Sequence, residues 1–355
     1  MAVETGQGQR SPTVRLLGLA VLLIVIFGFD LAIGSVSIPF DNLVTILVGG
    51  EPERPAWGQI VLIFRLPRAL TAILAGSALS VSGLLMQTYF RNPLAGPFVL
   101  GINAGASLGV ALVVLAVGSV ASTTLVSQLG LLGDIGVVVA ACIGSGLVFG
   151  AVLVVSRRVQ SSMTLLILGL MFGYAAGAVV SMLLYFSSAE RIQAYLAWRF
   201  GSFGGVTWDQ MKILAPVIVF GLLIAYFSAK PLNALLLGES YARSMGLTVK
   251  RAQFWMILSA SVLAGATTAY CGPIGFLGVA VPHLCRGLFN TSDHRVLVPA
   301  TLLMGASLAL VADLISQMPG QQIVLPLNAV TALIGAPVVI WVILRRRDLR
   351  TSFAA

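Results

Sequence analysis

Met163-Thr-Leu-Leu-Ile-Leu-Gly-Leu-Met-Phe-Gly-Tyr-Ala-Ala-Gly-Ala-Val-Val-Ser-Met-Leu-Leu-Tyr185 carries no charged side chain. As a helix rising ~1.5 Å per residue it reaches roughly 35 Å, enough to cross about 30 Å of hydrocarbon. Its apolar residues do not alternate with period two, so it does not read as a strand of a membrane barrel. In hydrocarbon each backbone N–H and C=O must be bonded within the chain, which leaves a helix.

Runs of the same kind lie at 14–34, 66–88, 96–117, 133–155, 212–229, 252–270, 274–289, 296–316 and 324–345. With 163–185 they make ten. The composition fits: 58% of the 355 residues are hydrophobic, 9% are charged, and the mean hydropathy is +1.00. A soluble domain carries about 25% charged residues, and it could not hide this much apolar surface from water. The 38 glycines suit helices packed closely through small side chains. The expected fold is all-α: a polytopic membrane protein with about ten transmembrane helices.

The net charge of +9 would suit nucleic acid, but its placement argues against that partner. The basic residues sit in short clusters between apolar runs, as topology signals do. With the N-terminus inside, the outer side keeps Arg54, Arg65, Arg68, Arg191, Arg199 and Lys212, and the other 15 of 21 basic residues fall inside. An odd number of spans would put Arg345 to Arg350 outside. Both termini are therefore expected in the cytoplasm, with tails at 1–13 and 346–355 around a transmembrane domain at 14–345. Arg10 and Arg15 precede a run that continues to Ile33 without a small-x-small cleavage site, so it reads as a retained span and not a signal peptide. Spans two to five begin outside and spans seven to ten begin inside. That is an inverted pair of four-helix repeats.

Enzyme chemistry is poorly served. There is no H-E-x-x-H and no G-x-x-x-x-G-K-[ST], so the chain lacks the usual machinery for ATP hydrolysis. Cys142, Cys271 and Cys285 lie in apolar runs without metal-site spacing and read as packing residues. His283 reads as a side chain hydrogen-bonded across helices, and His294 as a solvated loop residue. Asp30, Asp134 and Asp313 fall near outer span ends. None is at a midplane, which counts against an ion-coupled secondary transporter. An intramembrane enzyme would need a paired nucleophile and base, or a metal cluster, and neither is legible.

Three exceptions to apolarity carry the functional reading. Arg65 and Arg68, in Phe64-Arg-Leu-Pro-Arg68, place two positive charges on the outer side. Snorkelling to lipid phosphates and docking of an acidic partner surface both fit. Arg91-Asn-Pro-Leu-Ala-Gly-Pro97 breaks the chain on the inner side, because two prolines and a glycine forbid a continuous helix. Gly101, Gly105 and Gly109 follow as a close-packing stripe. The inner segment 230–251 is polar and long enough for one or two short helices. Within it Gly238, Ala242 and Gly246, spaced by four, would share one helical face suited to a groove in a cytoplasmic partner.

These pieces together resemble the permease subunits of the iron-siderophore, haem and vitamin B12 class of ABC importers (type II importers). The resemblance rests on Arg65-Leu-Pro-Arg68, Leu79 to Gln87, Asn92-Pro-Leu-Ala95, Leu237-Gly-Glu239 through Gly246, Gly275-Phe-Leu-Gly278 to Pro282-His283, Asp293-His-Arg295 and Thr331 to Pro337, in that order. It implies ten spans per subunit, a bacterial cytoplasmic membrane location, and a second permease subunit, identical or related. It also implies two separate ATPase subunits that bind ATP-Mg, with no cofactor on this chain, and an extracytoplasmic substrate-binding protein. Arg65 and Arg68 match the residues that face acidic groups of the binding protein. Leu237, Gly238, Glu239, Ala242, Arg243 and Gly246 match the ATPase coupling loop. Asn92 and Leu94 match the inner gate, and Ser161 and Ser162 the narrowing of the pathway. The implied cargo is an intact metal chelate, a ferric siderophore first and haem or cobalamin as the alternative. Two departures concern the outer face. Gln317 follows Ala312-Asp313 where some relatives carry an arginine, and Val324-Leu-Pro-Leu-Asn328 lacks the acid and glycine of E-L-P-x-G.

Overall fold

The computed structural model describes residues 11–116, 130–158, 162–318 and 324–345. The C-terminal tail, most of the N-terminal tail and Ser161 lie outside them. Among the described residues every regular element is helical. In chain order these are α1 (Pro12–Ala32), α2 (Phe40–Leu47), α3 (Pro55–Gln59), α4 (Leu66–Tyr89), α5 (Ile102–Ala111), α6 (Gly130–Arg158), α7 (Ser162–Tyr185) and α8 (Ala189–Phe200). There follow α9 (Trp208–Phe227), α10 (Ala229–Leu236), α11 (Glu239–Ser244), α12 (Val249–Cys271), α13 (Leu277–Phe289), α14 (His294–Ser316) and α15 (Leu327–Arg345).

Six stretches are long and apolar enough to cross a bilayer: Pro12–Ala32, Pro55–Tyr89, Met163–Tyr185, Trp208–Phe227, Val249–Cys271 and His294–Ser316. Four shorter apolar stretches fall in α5, α6, α13 and α15. Each of the ten runs expected from the sequence lands on one of these. Burial then sorts them. The apolar window of Pro55–Tyr89 is 83% buried, against 17% for α1 and 22% for α7. α4 is thus the central post, while α1 and α7 turn most of their surface outward.

Small residues make that centre possible. α4 packs most extensively on α14, and α12 and α13 close its other sides. At the α4–α14 crossing a Cβ on Gly76 would overlap the Gly305 carbonyl, and at the α4–α13 crossing one on Gly83 would overlap the Gly278 carbonyl. Close approach of this kind is how helices gain dispersion contacts where the lipid alternative is equally apolar. The expected glycine stripe does the same elsewhere. A Cβ on Gly105 would lie 2.5 Å from the Gly144 carbonyl oxygen, and one on Gly109 would overlap that of Ala140.

Several local expectations change. The expected start of the second span at residue 66 moves back: α2 and α3 precede α4, and helix runs unbroken from Pro55 to Tyr89. At about 1.5 Å per residue that is roughly 52 Å, longer than the hydrocarbon is thick. A wide turn at Ile60–Arg65 precedes Pro67, which supplies no N–H of its own. The run at 96–117 is also interrupted. A tight turn at Pro97–Leu100 ends at Gly101 (φ +75°), and only then does α5 begin. Cys142, expected to pack inside, is exposed.

Candidate functional site

α4 and α14 lie antiparallel, so their contacts define two ends of one molecule. One end holds Arg65, Arg68 and Asp313; the other holds Thr88, His294 and the 230–251 segment. The sequence-marked residues divide between them.

At the first end Arg65 turns toward the end of α1. Its Nη1 donates to the carbonyls of Leu31 (2.7 Å) and Ala32 (3.0 Å), and its Nη2 to that of Val36. The Leu31 and Ala32 carbonyls belong to the last turn of α1, where intrahelical partners run out, and Val36 lies just beyond it, so the guanidinium caps α1. One turn later Arg68 points the other way, to α14. Its Nε lies 2.8 Å from Asp313 Oδ2 and its Nη2 2.9 Å from Oδ1, a bidentate ion pair. Gln317 Nε2 donates to the same carboxylate at 2.8 Å, so the residue at the departed arginine position completes the Asp313 shell. Asp30 is buried beside this group. Two acids and two bases therefore share one buried corner. Arg65 is 7% exposed, whereas the Arg68 side chain is 19% exposed. Its open edge reaches a hollow lined by Phe200, Ser202, Asp313, Ser316 and Leu325. The second departure also finds a partner: Asn328 Oδ1 accepts the Gly275 N–H at 3.0 Å.

At the other end the Arg91–Pro97 break is built tightly. Arg91 adopts φ +48°. Asn92 folds its Oδ1 onto the Leu94 N–H (2.9 Å), a local turn that frees the chain from helix, and Leu94 is exposed. His283 makes the cross-helix bond expected of it, Nε2 to the Pro93 carbonyl at 2.8 Å. Gln87, fully buried, accepts from Arg286 Nη1 at 2.6 Å. Ser162 opens α7.

The 230–251 segment forms two short helices. α11 spans only Glu239–Ser244, so Gly238, Ala242 and Gly246 do not share one helical face as the spacing suggested. Gly238 (φ +111°) and Gly246 (φ +82°) are instead turns that start and stop the helix in conformations glycine adopts without strain. Ala242 is buried and anchors α11. Glu239 bonds Arg243 (3.3 Å) and accepts from Gln253 of α12 (3.1 Å). Leu237, Tyr241, Arg243 and Met245 stand exposed.

His294 corrects the sequence reading. It is 1% exposed rather than solvated, because α10 folds over it. Asn233 of α10 accepts both the His294 backbone N–H and the ring Nδ1 at 2.8 Å, and Thr88 lies 2.8 Å from Nε2. Asp293 caps α14 by accepting the Arg295 N–H at 2.9 Å. Burial pushes the Asp293 carboxyl up, but bonds from the Arg295 N–H and Asn233 and the charges of Arg295 and His294 outweigh it and hold it below the usual carboxylate range. Asn233 and Thr88 carried no sequence signal of a role, and Asp313 stood out as a span-end acid but not as a partner of Arg68. Thr88 and His294 are 206 positions apart, and no local pattern links them. Among the described residues no group of three or more His, Cys, Asp or Glu is placed to hold a metal.

Apolar helices around a small-residue core, with a charged corner at one end and a polar helical loop at the other, define a multi-pass membrane permease. Residues 22–345 match the FecCD transport family, and the chain belongs to it as an ABC importer permease. It is 36% identical over 349 residues to the vitamin B12 import system permease protein BtuC of Klebsiella pneumoniae, covering 96% of each chain. To the hemin transport system permease protein HmuU of Yersinia pestis it is 34% identical, covering 95% of this chain and 97% of that one. A solved structure assigned to the metal-chelate type of ABC transporter, in an inward-facing conformation, superposes with a TM-score of 0.80 at 27% identity. That match covers 94% of this chain and 99% of the other.

Proposed function

We propose that this permease crosses a bacterial cytoplasmic membrane ten times with both termini inside, as two inverted four-helix repeats, and imports an intact metal chelate. A second permease subunit, identical or related, completes the pathway. Two ATPase subunits bind ATP-Mg and press on the loop carrying Leu237, Gly238, Glu239, Ala242, Arg243 and Gly246. An extracytoplasmic binding protein docks at the Arg65–Arg68 corner. Arg68 offers its open edge to a partner carboxylate, while Arg65 holds the end of α1 in place. Asn92 and Leu94 at the inner break, and Ser161 and Ser162 where α7 begins, line or gate the route.

The observation that carries this reading is the pairing of two unlike polar ends on the same buried helices, α4 and α14, in a chain that matches an importer family from residue 22 to 345. The cargo we favour is a ferric siderophore. The names of the two relatives favour haem or cobalamin as the second reading.

The test is reconstitution. The permease is placed in proteoliposomes with its ATPase subunits and binding protein, and uptake of ferric siderophores, haem and cobalamin is measured with and without ATP. ATP-dependent uptake of one of them is expected. Uptake without the ATPase subunits would favour an ion-coupled transporter and sink this reading. Arg68→Glu should weaken binding-protein docking; unchanged affinity at low salt would remove the docking assignment.

A further inference from the structure

The inner end contains a chain of buried hydrogen bonds that the importer reading does not use. It begins on α10, within the coupling loop. Asn233 is fixed there as donor and acceptor at once: its Nδ2 bonds Asp293, and its Oδ1 accepts the His294 backbone N–H. Because that oxygen is the acceptor, His294 Nδ1 must carry the proton of the 2.8 Å contact between them. The other ring nitrogen then faces the Thr88 hydroxyl. Thr88 lies in the last turn of α4, three positions before the left-handed Arg91 that opens the break. A second tie runs in parallel, from Arg91 Nη2 to the Leu235 carbonyl of α10 at 3.2 Å.

Thr88 and His294 are 4% and 1% exposed. No bulk water reaches them to replace a lost bond, and close-packed surroundings leave no slack in which the bonds could slide. On its far side the break is held by α13, through His283 on the Pro93 carbonyl. The break therefore sits between two grips, one from α10 and one from α13.

We propose that Asn233, His294 and Thr88 form a strut that carries displacement of the coupling loop to the Arg91–Pro97 break, making them positioning residues for transport. This rests on the reading of 230–251 as the ATPase-facing loop. Spatial continuity is a route for coupling, and the coupling itself is what must be measured.

The experiment uses the permease assembled with its ATPase subunits in lipid nanodiscs, in a Cys142→Ala background that removes the exposed cysteine. Spin labels go on exposed positions at Leu237→Cys in the loop or Leu94→Cys at the break, each paired with Val48→Cys at the opposite end. Distances are read with and without ATP and vanadate. In the parent, both the loop and the break should shift. In Asn233→Leu and in the near-isosteric Thr88→Val the loop should still shift, while the break's shift falls at least about fivefold, the lower end of the usual range of coupling between sites. A break that shifts fully in both variants overturns the strut. So does a pair of variants that only melt at lower temperature with the break's shift intact, since that marks a purely structural role. If the loop shifts in the parent and the break does not, the strut alone fails. If the ATPase subunits do not bind, or the loop stays still, the coupling-loop reading fails and the strut falls with it.

Discussion

The two ends of the α4–α14 pair are joined by different chemistry. At the Arg68 end, proposed to face outward, the clasp is ionic: a bidentate Arg68–Asp313 pair, with Arg65 on three carbonyls of the preceding segment. At the Thr88 end, proposed to face inward, it is a hydrogen-bonded Thr88–His294–Asn233 chain, continued by a loop whose helix is bracketed by left-handed glycines. A buried ion pair holds only while both partners stay, because either charge left alone is costly. A neutral hydrogen bond lost in this chain leaves an unpaired buried dipole, which costs less than an unpaired buried charge. The ionic end suits the docking face proposed for it, and the hydrogen-bonded end the transmitted movement proposed for it.

Removing one charge tests the outer clasp most severely. Asp313→Ala leaves Arg68 and Gln317 without their acceptor and should destabilise the protein by about 3–5 kcal/mol, read from thermal unfolding in detergent. The paired Arg68→Met, Asp313→Leu change should recover most of that loss. If it does not, the clasp contributes more than charge balance. Arg65→Lys should cost about 1–3 kcal/mol, because an ammonium cannot reproduce a planar fork serving three carbonyls.

At the Thr88 end Thr88→Val should cost about 1–3 kcal/mol in the same assay, because the buried His294 ring nitrogen loses its partner. A loss as large as that of Asp313→Ala would erase the contrast between the ends. Gly246→Ala should cost roughly 1 kcal/mol through backbone strain alone, since nothing lies within 4 Å of the added Cβ. Glu239→Ala should cost no more than about 1 kcal/mol, as its pair with Arg243 is partly exposed and one part-buried bond from Gln253 is lost with it. Its effect should appear in uptake per ATP hydrolysed, and normal coupling in that variant would remove the role given to the loop. The smallest effect concerns acid. The Asp293 carboxyl is held below its ordinary range in the folded chain, so its stabilising contribution is complete above that range and lost only as pH falls below it. Between pH 7 and 5 an Asp293→Asn variant and the parent should therefore show the same pH dependence of melting temperature.

Much of this contrast was visible beforehand as position but not as partnership. Apolar length located every span-like helix, and Pro93, Gly96 and Pro97 marked the break. The R-L-P-R stretch was read as two equivalent outward charges. The fold separates them: Arg65 goes to α1 and Arg68 to α14, because residues three apart on a helix beside two neighbours can serve different ones. Spacing by four suggested one face for Gly238, Ala242 and Gly246. Left-handed backbone at both glycines cuts the helix short instead. His294 looked solvated because its neighbours Asp293 and Arg295 are charged, and only the return of α10 buries it.

By itself the sequence determined that the chain is helical and built for a bilayer, where the helix breaks, and which family motifs occur in which order. These follow from composition and local sterics, which act over a few residues. The tertiary structure alone decided what each polar group bonds to. Arg68 and Asp313 are 245 positions apart, and Thr88 and His294 206, so their meeting depends on α4 and α14 lying antiparallel through Gly76 and Gly305. In an interior with little water, that pairing settles whether a buried charge or hydroxyl is satisfied.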